Sequence, residues 1–188
     1  RRLGEAQVQG RDIVVASVLV PSSAPQALVE AALAVAPVVY SVEPALFEAE
    51  FQAKGAGQVA RACSFAVAFP VSRPLAVLRP PFVVLDGLAS ARNIGEVLRS
   101  AMHLGVTSVL ASRSAWNGLT GRAARSAMGW IYHMDFHLAD PLPAALDELR
   151  DLGVRIYAAE NHFSRAVAPH APPGDRQWAL VVGNEEAG

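Results

Sequence analysis

The chain has 188 residues, 52% of them hydrophobic, and a net charge of −1, which excludes a disordered chain and nucleic-acid binding through bulk charge alone. Its longest apolar runs, Ile13 to Pro21 and Ala31 to Tyr40, fall short of the ~20 residues that a bilayer span needs, and Pro37 interrupts the second. Arg1-Arg2-Leu3-Gly4-Glu5 lacks the apolar core of a signal peptide and the single Cys63 has no internal disulfide partner, so a cytoplasmic protein is expected.

Asp12 to Val20 is rich in β-branched residues and bounded by Pro21-Ser22-Ser23, which predicts a strand. A helix is expected over Ala24 to Ala36 with Pro25 near its first turn, then a short strand at Val38 to Ser41 and a short helix over Glu43 to Glu50. Lys54-Gly55-Ala56-Gly57-Gln58 reads as a loop and Ser64 to Phe69 as another strand. Together these make a small α/β unit. Pro70, Pro74, Pro80 and Pro81 follow; prolines supply no ladder donors and favour extended backbone, so a linker is expected. The domain assignment is therefore 1–75, a proline-rich linker over 76–81, and a second domain over 82–188.

Phe82-Val83-Val84-Leu85 is continuously apolar, as a parallel strand covered on both faces must be. After Asp86-Gly87 a helix runs from Arg92 to Leu104 and closes on Gly105. Thr107 to Ala111 is the next strand, Thr120 to Met128 a helix, Tyr132 to Phe136 a strand, and Pro141 to Leu152 a helix ended by Gly153. Val154 to Ala158 and Trp178 to Val182 complete the strands. Such alternation means an α/β fold: a parallel sheet with helices on both faces, preceded by the small α/β domain.

Charge is uneven along this chain. Residues 79–125 carry six arginines against Asp86 and Glu96, the pattern of a face that meets phosphate, and Lys54 is the only lysine. On the helix over 92–104, Ile94, Val97, Leu98 and Ala101 recur at core spacing and leave Arg92, Glu96, Arg99 and His103 on an outward stripe. Arg92 and His103 there read as a solvated face, with Glu96 pairing to Arg92 or Arg99. Asn93 and Gly95 disfavour a helix interior; at its first turn they would offer backbone N–H groups to a ligand above the sheet's carboxyl edge. Gly183-Asn184-Glu185-Glu186-Ala187-Gly188 follows a buried strand, where glycine admits a ligand to the backbone and carboxylates accept from ribose hydroxyls or an amine. Neither turn is a P-loop or a dinucleotide fingerprint, which disfavours a nucleotide-dependent oxidoreductase. His133, His137 and His162 fit no zinc spacing and Cys63 lies far off, so no metal is expected. Trp130 and Trp178 read as core or interface aromatics, and Trp116, in a polar loop, as a candidate for stacking on a base.

Leu85-Asp86-Gly87 through Asn93-Ile94-Gly95, Arg99-Ser100-Ala101 and Leu104-Gly105-Val106 resembles the first motif of the SpoU-type (TrmH-like) RNA ribose methyltransferases of the knotted SPOUT superfamily. Ala179 to Gly188 resembles the second motif, and Arg125-Ser126-Ala127-Met128-Gly129 the segment between. Residues before Pro70 are similar, more weakly, to the substrate-binding domain that often precedes such a catalytic domain. The resemblance implies methyl transfer from S-adenosylmethionine to a ribose 2′-hydroxyl of rRNA or tRNA, by a cytoplasmic homodimer with its site at the subunit interface. It makes Asn93, Arg99 and Glu185 the catalytic candidates, Gly183, Asn184, Glu185 and Gly188 the cofactor-binding ones, and Arg92, Arg122 and Arg125 the RNA contacts. A guanidinium, with a pKa above ~12, is a poor proton acceptor, so Arg99 is expected to hold the adjacent phosphate and stabilise developing alkoxide charge. The family's third motif, a Ser-Leu-Asn type segment leading into the knot-threading helix, does not appear before Gly188. The expectation is an incomplete knot and cofactor pocket, and the alternative function is a catalytically silent RNA-binding protein on the same scaffold.

Overall fold

The computed structural model describes residues 14–52, 63–160 and 177–184, and the chain divides after Phe69 into two compact units. The first contains β1 (Val15–Pro21), α1 (Gln26–Val35), β2 (Val39–Val42), α2 (Pro44–Gln52) and β3 (Ser64–Val67). Its central strand, β1, runs parallel to β2, with Val18 opposite Val39, and antiparallel to β3, with Val18 opposite Phe65. Val18, Val20, Ala32 and Phe47 are buried and form its interior. Pro25, whose fixed φ suits a helix entry, stands immediately before α1. The loop expected over Lys54–Gln58 lies outside the described residues.

The second unit holds β4 (Phe82–Leu85), α3 (Ala91–His103), β5 (Ser108–Ala111), α4 (Arg113–Gly118), α5 (Gly121–Ser126), β6 (Asp135–Leu138), α6 (Leu142–Asp151), β7 (Arg155–Ala158) and β8 (Trp178–Val182). The sheet is parallel throughout, in the order β6-β5-β4-β8-β7. All eight residues of β4 and β5 are buried, because helices cover this part of the sheet on both sides. Phe82, Val84, Leu110 and Ala179 pack on one face against Leu142, Ala145 and Leu149 of α6. Strand alternation turns Val83, Leu85 and Val109 to the other face, the side of α3 with its buried Ile94, Leu98 and Ala101. Full burial of a side chain such as Leu98 contributes about 1.5–3 kcal/mol, which is why α3 keeps this register. At its C-terminus Gly105 adopts φ +78° and the Val106 N–H reaches the Ala101 carbonyl, closing the helix as expected.

Three expectations change. The proline-rich stretch is no free linker: Ser72 bridges to Phe136 in parallel, the Arg73 N–H donates to the Phe136 carbonyl, and the Leu138 N–H donates to Ser72 Oγ at 2.9 Å. Leu75 and Leu78 then enter the core of the second unit. An extended proline-rich segment lies well along the edge of β6, where it blunts unpaired backbone groups. Secondly, the helix expected over Thr120–Met128 is the shorter α5, Gly121–Ser126, and a separate helix, α4, precedes it over Arg113–Gly118, where sequence periodicity predicted none. Thirdly, the strand expected over Tyr132–Phe136 begins at Asp135 after a 3₁₀ turn at Trp130–His133, since pairing with β5 sets its register and β-propensity does not.

Candidate functional site

β4, β5 and β6 follow one another outward, but β8 returns to lie on the other side of β4. The carboxyl ends of β4 and β8 therefore flank a point where strand order reverses, and open α/β sheets bind ligands in that crevice. The two ends are tied directly, with the Asp86 N–H donating to the Val182 carbonyl at 2.9 Å. Gly87 follows in the left-handed region at φ +67°, and a Cβ there would stand 3.6 Å from the Cβ of Asn184. A Cβ at Gly183 would meet nothing within 4 Å, so the backbone at that position is open to approach.

Below this rim runs an open cleft of about 1100 Å³ between α3 and β8. Val97 and Ala101 of α3 and Trp178, Leu180 and Val182 of β8 line its walls, and Asn93, Glu96, Glu160, Gly183 and Asn184 supply polar groups. α3 covers only the β4 side of this sheet face, which leaves Leu180 36% exposed in a strand whose neighbour Ala179 is fully buried. The combination of an apolar wall with a few convergent amides and carboxylates is the usual constitution of a small-molecule site.

The structure brings Asn93, Gly183 and Asn184 together at this cleft. Asn93 is half-buried, and its backbone N–H is already taken by Ser90 Oγ at 3.4 Å, so its amide side chain is what it offers to a ligand. Glu185 and Gly188 lie outside the described residues. Arg99 is exposed and does not line the cleft. Arg92 pairs with Glu96 at 2.8 Å on an exposed surface, as expected, and Glu96, by hydrogen bond first and by charge second, raises the guanidinium pKa above its ordinary value. Arg92 thus stays cationic. Arg122 and Arg125 are exposed on α5.

Gly95 has a different reason from the one its position suggested. A Cβ there would collide with Ser126 and stand 2.6 Å from the Ala123 carbonyl oxygen and 2.9 Å from the Ala127 nitrogen. Glycine at 95 therefore lets α5 press against α3, and this contact joins the first motif to the segment Arg125–Gly129. Trp116 proves to be half-buried on α4 and not in a loop. Three participants escaped sequence reasoning: Glu160, the acid that follows β7; Ser112, the small polar residue that follows β5; and Arg113, which pairs with Asp140 at 2.9 Å. A polar residue within two positions of a strand's carboxyl end was the available signal in all three.

His137 faces the Arg73 carbonyl through Nδ1 at 2.8 Å, and His133 is buried. His162 lies outside the described residues. Among the described residues no group of three His, Cys, Asp or Glu side chains is arranged to hold a metal ion, and no helix is long and apolar enough to cross a membrane.

Residues 80–188 match the model of the SpoU rRNA Methylase family. A 23S rRNA (guanosine(2553)-2′-O)-methyltransferase, RlmP, of Bacillus subtilis is 30% identical over 107 residues, which cover 56% of this chain and 42% of the relative. The chain thus spans less than half the length of that relative. Two solved structures align with the whole chain: the SpoU methyltransferase AviRb of Streptomyces viridochromogenes in complex with AdoMet, with a TM-score of 0.66, 19% identity and 72% of that chain covered; and an rRNA methyltransferase of Sinorhizobium meliloti, with 0.70, 16% and 70%. At such identities the likeness is one of fold.

Proposed function

Since the chain belongs to the SpoU rRNA Methylase family, we propose that it transfers a methyl group from S-adenosylmethionine to a ribose 2′-hydroxyl of rRNA or tRNA. The observation that carries this reading is the cleft at the strand-order reversal, where Asn93 of the first motif meets Gly183-Asn184 of the second. The residues suit the cofactor. Gly183 leaves its backbone open to approach, Trp178 and Leu180 offer apolar wall, and Glu160 and Asn184 can accept from ribose hydroxyls or an ammonium group. When bound, S-adenosylmethionine supplies an electrophilic methyl group on a sulfonium.

A ribose hydroxyl near pH 7 is a poor nucleophile, so the site must lower the cost of losing its proton. Arg99 holds the neighbouring phosphate and offsets the developing alkoxide charge as a fixed cation, while the hydroxyl proton passes to solvent water. Asn93 and Glu185 orient the nucleotide, and holding two reactants in line supplies much of the acceleration. Arg99 and Asn93 are six residues apart on α3, roughly 120° around and 9 Å along the helix, so they face different directions. This divergence supports a homodimer in which Arg99 of one protomer serves the cleft of the other. Metal plays no part in this reading, and an RNA-modifying role suits the cytoplasm.

Arg92, Arg122 and Arg125 would contact RNA phosphates. Replacing Arg122 and Arg125 together with alanine should then weaken RNA binding and reduce the slope of log Kd against log salt by about 0.7–0.9 per lost contact, measured by titrations at several salt concentrations. An unchanged slope would remove both from the interface. The function itself is tested by tritium transfer from labelled S-adenosylmethionine to rRNA and tRNA, followed by ribose-methylation mapping. One methylated ribose is expected. RNA binding without transfer, and without heat on titration with S-adenosylmethionine, would instead identify the silent RNA-binding protein.

A further inference from the structure

We propose that Ser112 is a positioning residue of this site, seating Asn184 through the backbone of Gly87. The inference rests on the reading of the cleft as a cofactor site. Ser112 occupies the N-cap position of α4, where serine ordinarily accepts from its own helix, yet its side chain makes no capping bond. Its hydroxyl instead crosses to the neighbouring loop and accepts the Gly87 N–H at 3.1 Å, while the Ser114 hydroxyl lies 3.2 Å away as its second partner. The Ser112 N–H donates to the Leu85 carbonyl, so the end of β5 is locked to the end of β4 by backbone and side chain together.

The Asp86-Gly87 turn is thereby clamped from both sides. Asp86 is held by Val182 of β8, and Gly87, in its left-handed conformation, by Ser112, which follows β5. Because a Cβ on Gly87 would stand only 3.6 Å from that of Asn184, the Gly87 backbone is the wall against which the Asn184 side chain rests. Ser112 is 9% exposed and does not line the cleft, so it acts on a ligand only through this wall. Without the hydroxyl, Gly87 regains the backbone freedom peculiar to glycine and the Asn184 side chain loses one fixed neighbour.

The test compares Ser112→Ala with Ser112→Thr, which keeps the hydroxyl. In protein without cofactor, Ser112→Ala should speed hydrogen exchange at the Gly87 amide and shift the Asn184 side-chain amide resonances, and Ser112→Thr should restore both. With S-adenosylmethionine as the probe, Ser112→Ala should raise Kd about two- to fivefold, the scale of one lost neutral hydrogen bond, and leave kcat at saturating cofactor within about twofold. Unmoved Asn184 resonances in Ser112→Ala would overturn the inference, as would equal losses with alanine and threonine. Should Ser112→Ala fail to fold, Gly87→Ala strains the same link at φ +67° and must move Asn184 likewise. Wild-type protein that binds no S-adenosylmethionine would sink the methyltransferase reading, while the Asn184 resonances would still decide the role of Ser112.

Discussion

Replacing Arg99 with alanine should lower methyl transfer at least about 100-fold and leave the Kd for S-adenosylmethionine within about twofold. Deleting one preorganised group that stabilises developing negative charge costs about 10²–10³ in kcat, and nothing compensates when the nucleophile is a neutral hydroxyl. The cofactor should be indifferent, because Arg99 is exposed on α3 and lies outside the cleft lined by Asn93 and Asn184. Stability should change little for the same reason. Arg99→Lys is expected to recover only part of the activity, since an ammonium keeps the charge and loses the planar fork that suits phosphate. Tritium transfer and calorimetric titration of the same preparations give both numbers. Parallel losses in transfer and cofactor affinity would remove Arg99 from the chemistry, and mixing Arg99→Ala with an Asn93→Ala partner tests the homodimer: partial recovery requires that the two residues serve one site from different protomers.

The second large effect concerns packing. Gly95→Ala would ordinarily stabilise a helix by about 0.5–1 kcal/mol. Here the new Cβ would meet the Ala123 carbonyl at 2.6 Å and the Ala127 nitrogen at 2.9 Å, backbone atoms that move only if α5 moves. Overpacking of this kind costs about 1–3 kcal/mol, so a net loss is expected, with a fall in melting temperature of roughly 5 °C. Gly121→Ala is the control, because a Cβ there meets nothing within 4 Å and its φ is not left-handed. It should be neutral or raise the melting temperature slightly. Equal melting of the two variants would mean that α3 and α5 do not meet as described. Gly95→Ala should also weaken RNA binding, since α5 carries Arg122 and Arg125.

Much of this was legible in the chain itself. The continuous apolar run of β4 is read correctly because a strand buried on both faces has no polar alternation to confuse, and α3 because Ile94, Leu98 and Ala101 repeat at helical spacing. That Glu96 pairs within its own helix follows from spacing, which offers Arg92 and Arg99, and the structure selects Arg92. Arg113–Asp140 does not, since its partners lie 27 residues apart and meet only because β5 and β6 are neighbours. The proline-rich stretch was misread for a physical reason: proline favours an extended backbone both in a linker and in a segment laid on a sheet edge, and only the neighbouring β6 distinguishes them. Helix α4 was missed because six residues are too few for periodicity to register.

Sequence by itself determined the fold class, the family and the two turns proposed to carry the chemistry, since burial periodicity and local motifs are properties of neighbouring residues. Tertiary structure decided what those turns face. It joined Asn93 to Gly183-Asn184 by returning β8 to the side of β4, so that both line one cleft. It also gave Gly95 and Ser112 their purposes, one as the space that α5 needs and the other as the clasp on Gly87. Each of these depends on atoms from strands or helices distant in sequence, whose proximity is set by strand order and helix packing and is invisible to any local pattern.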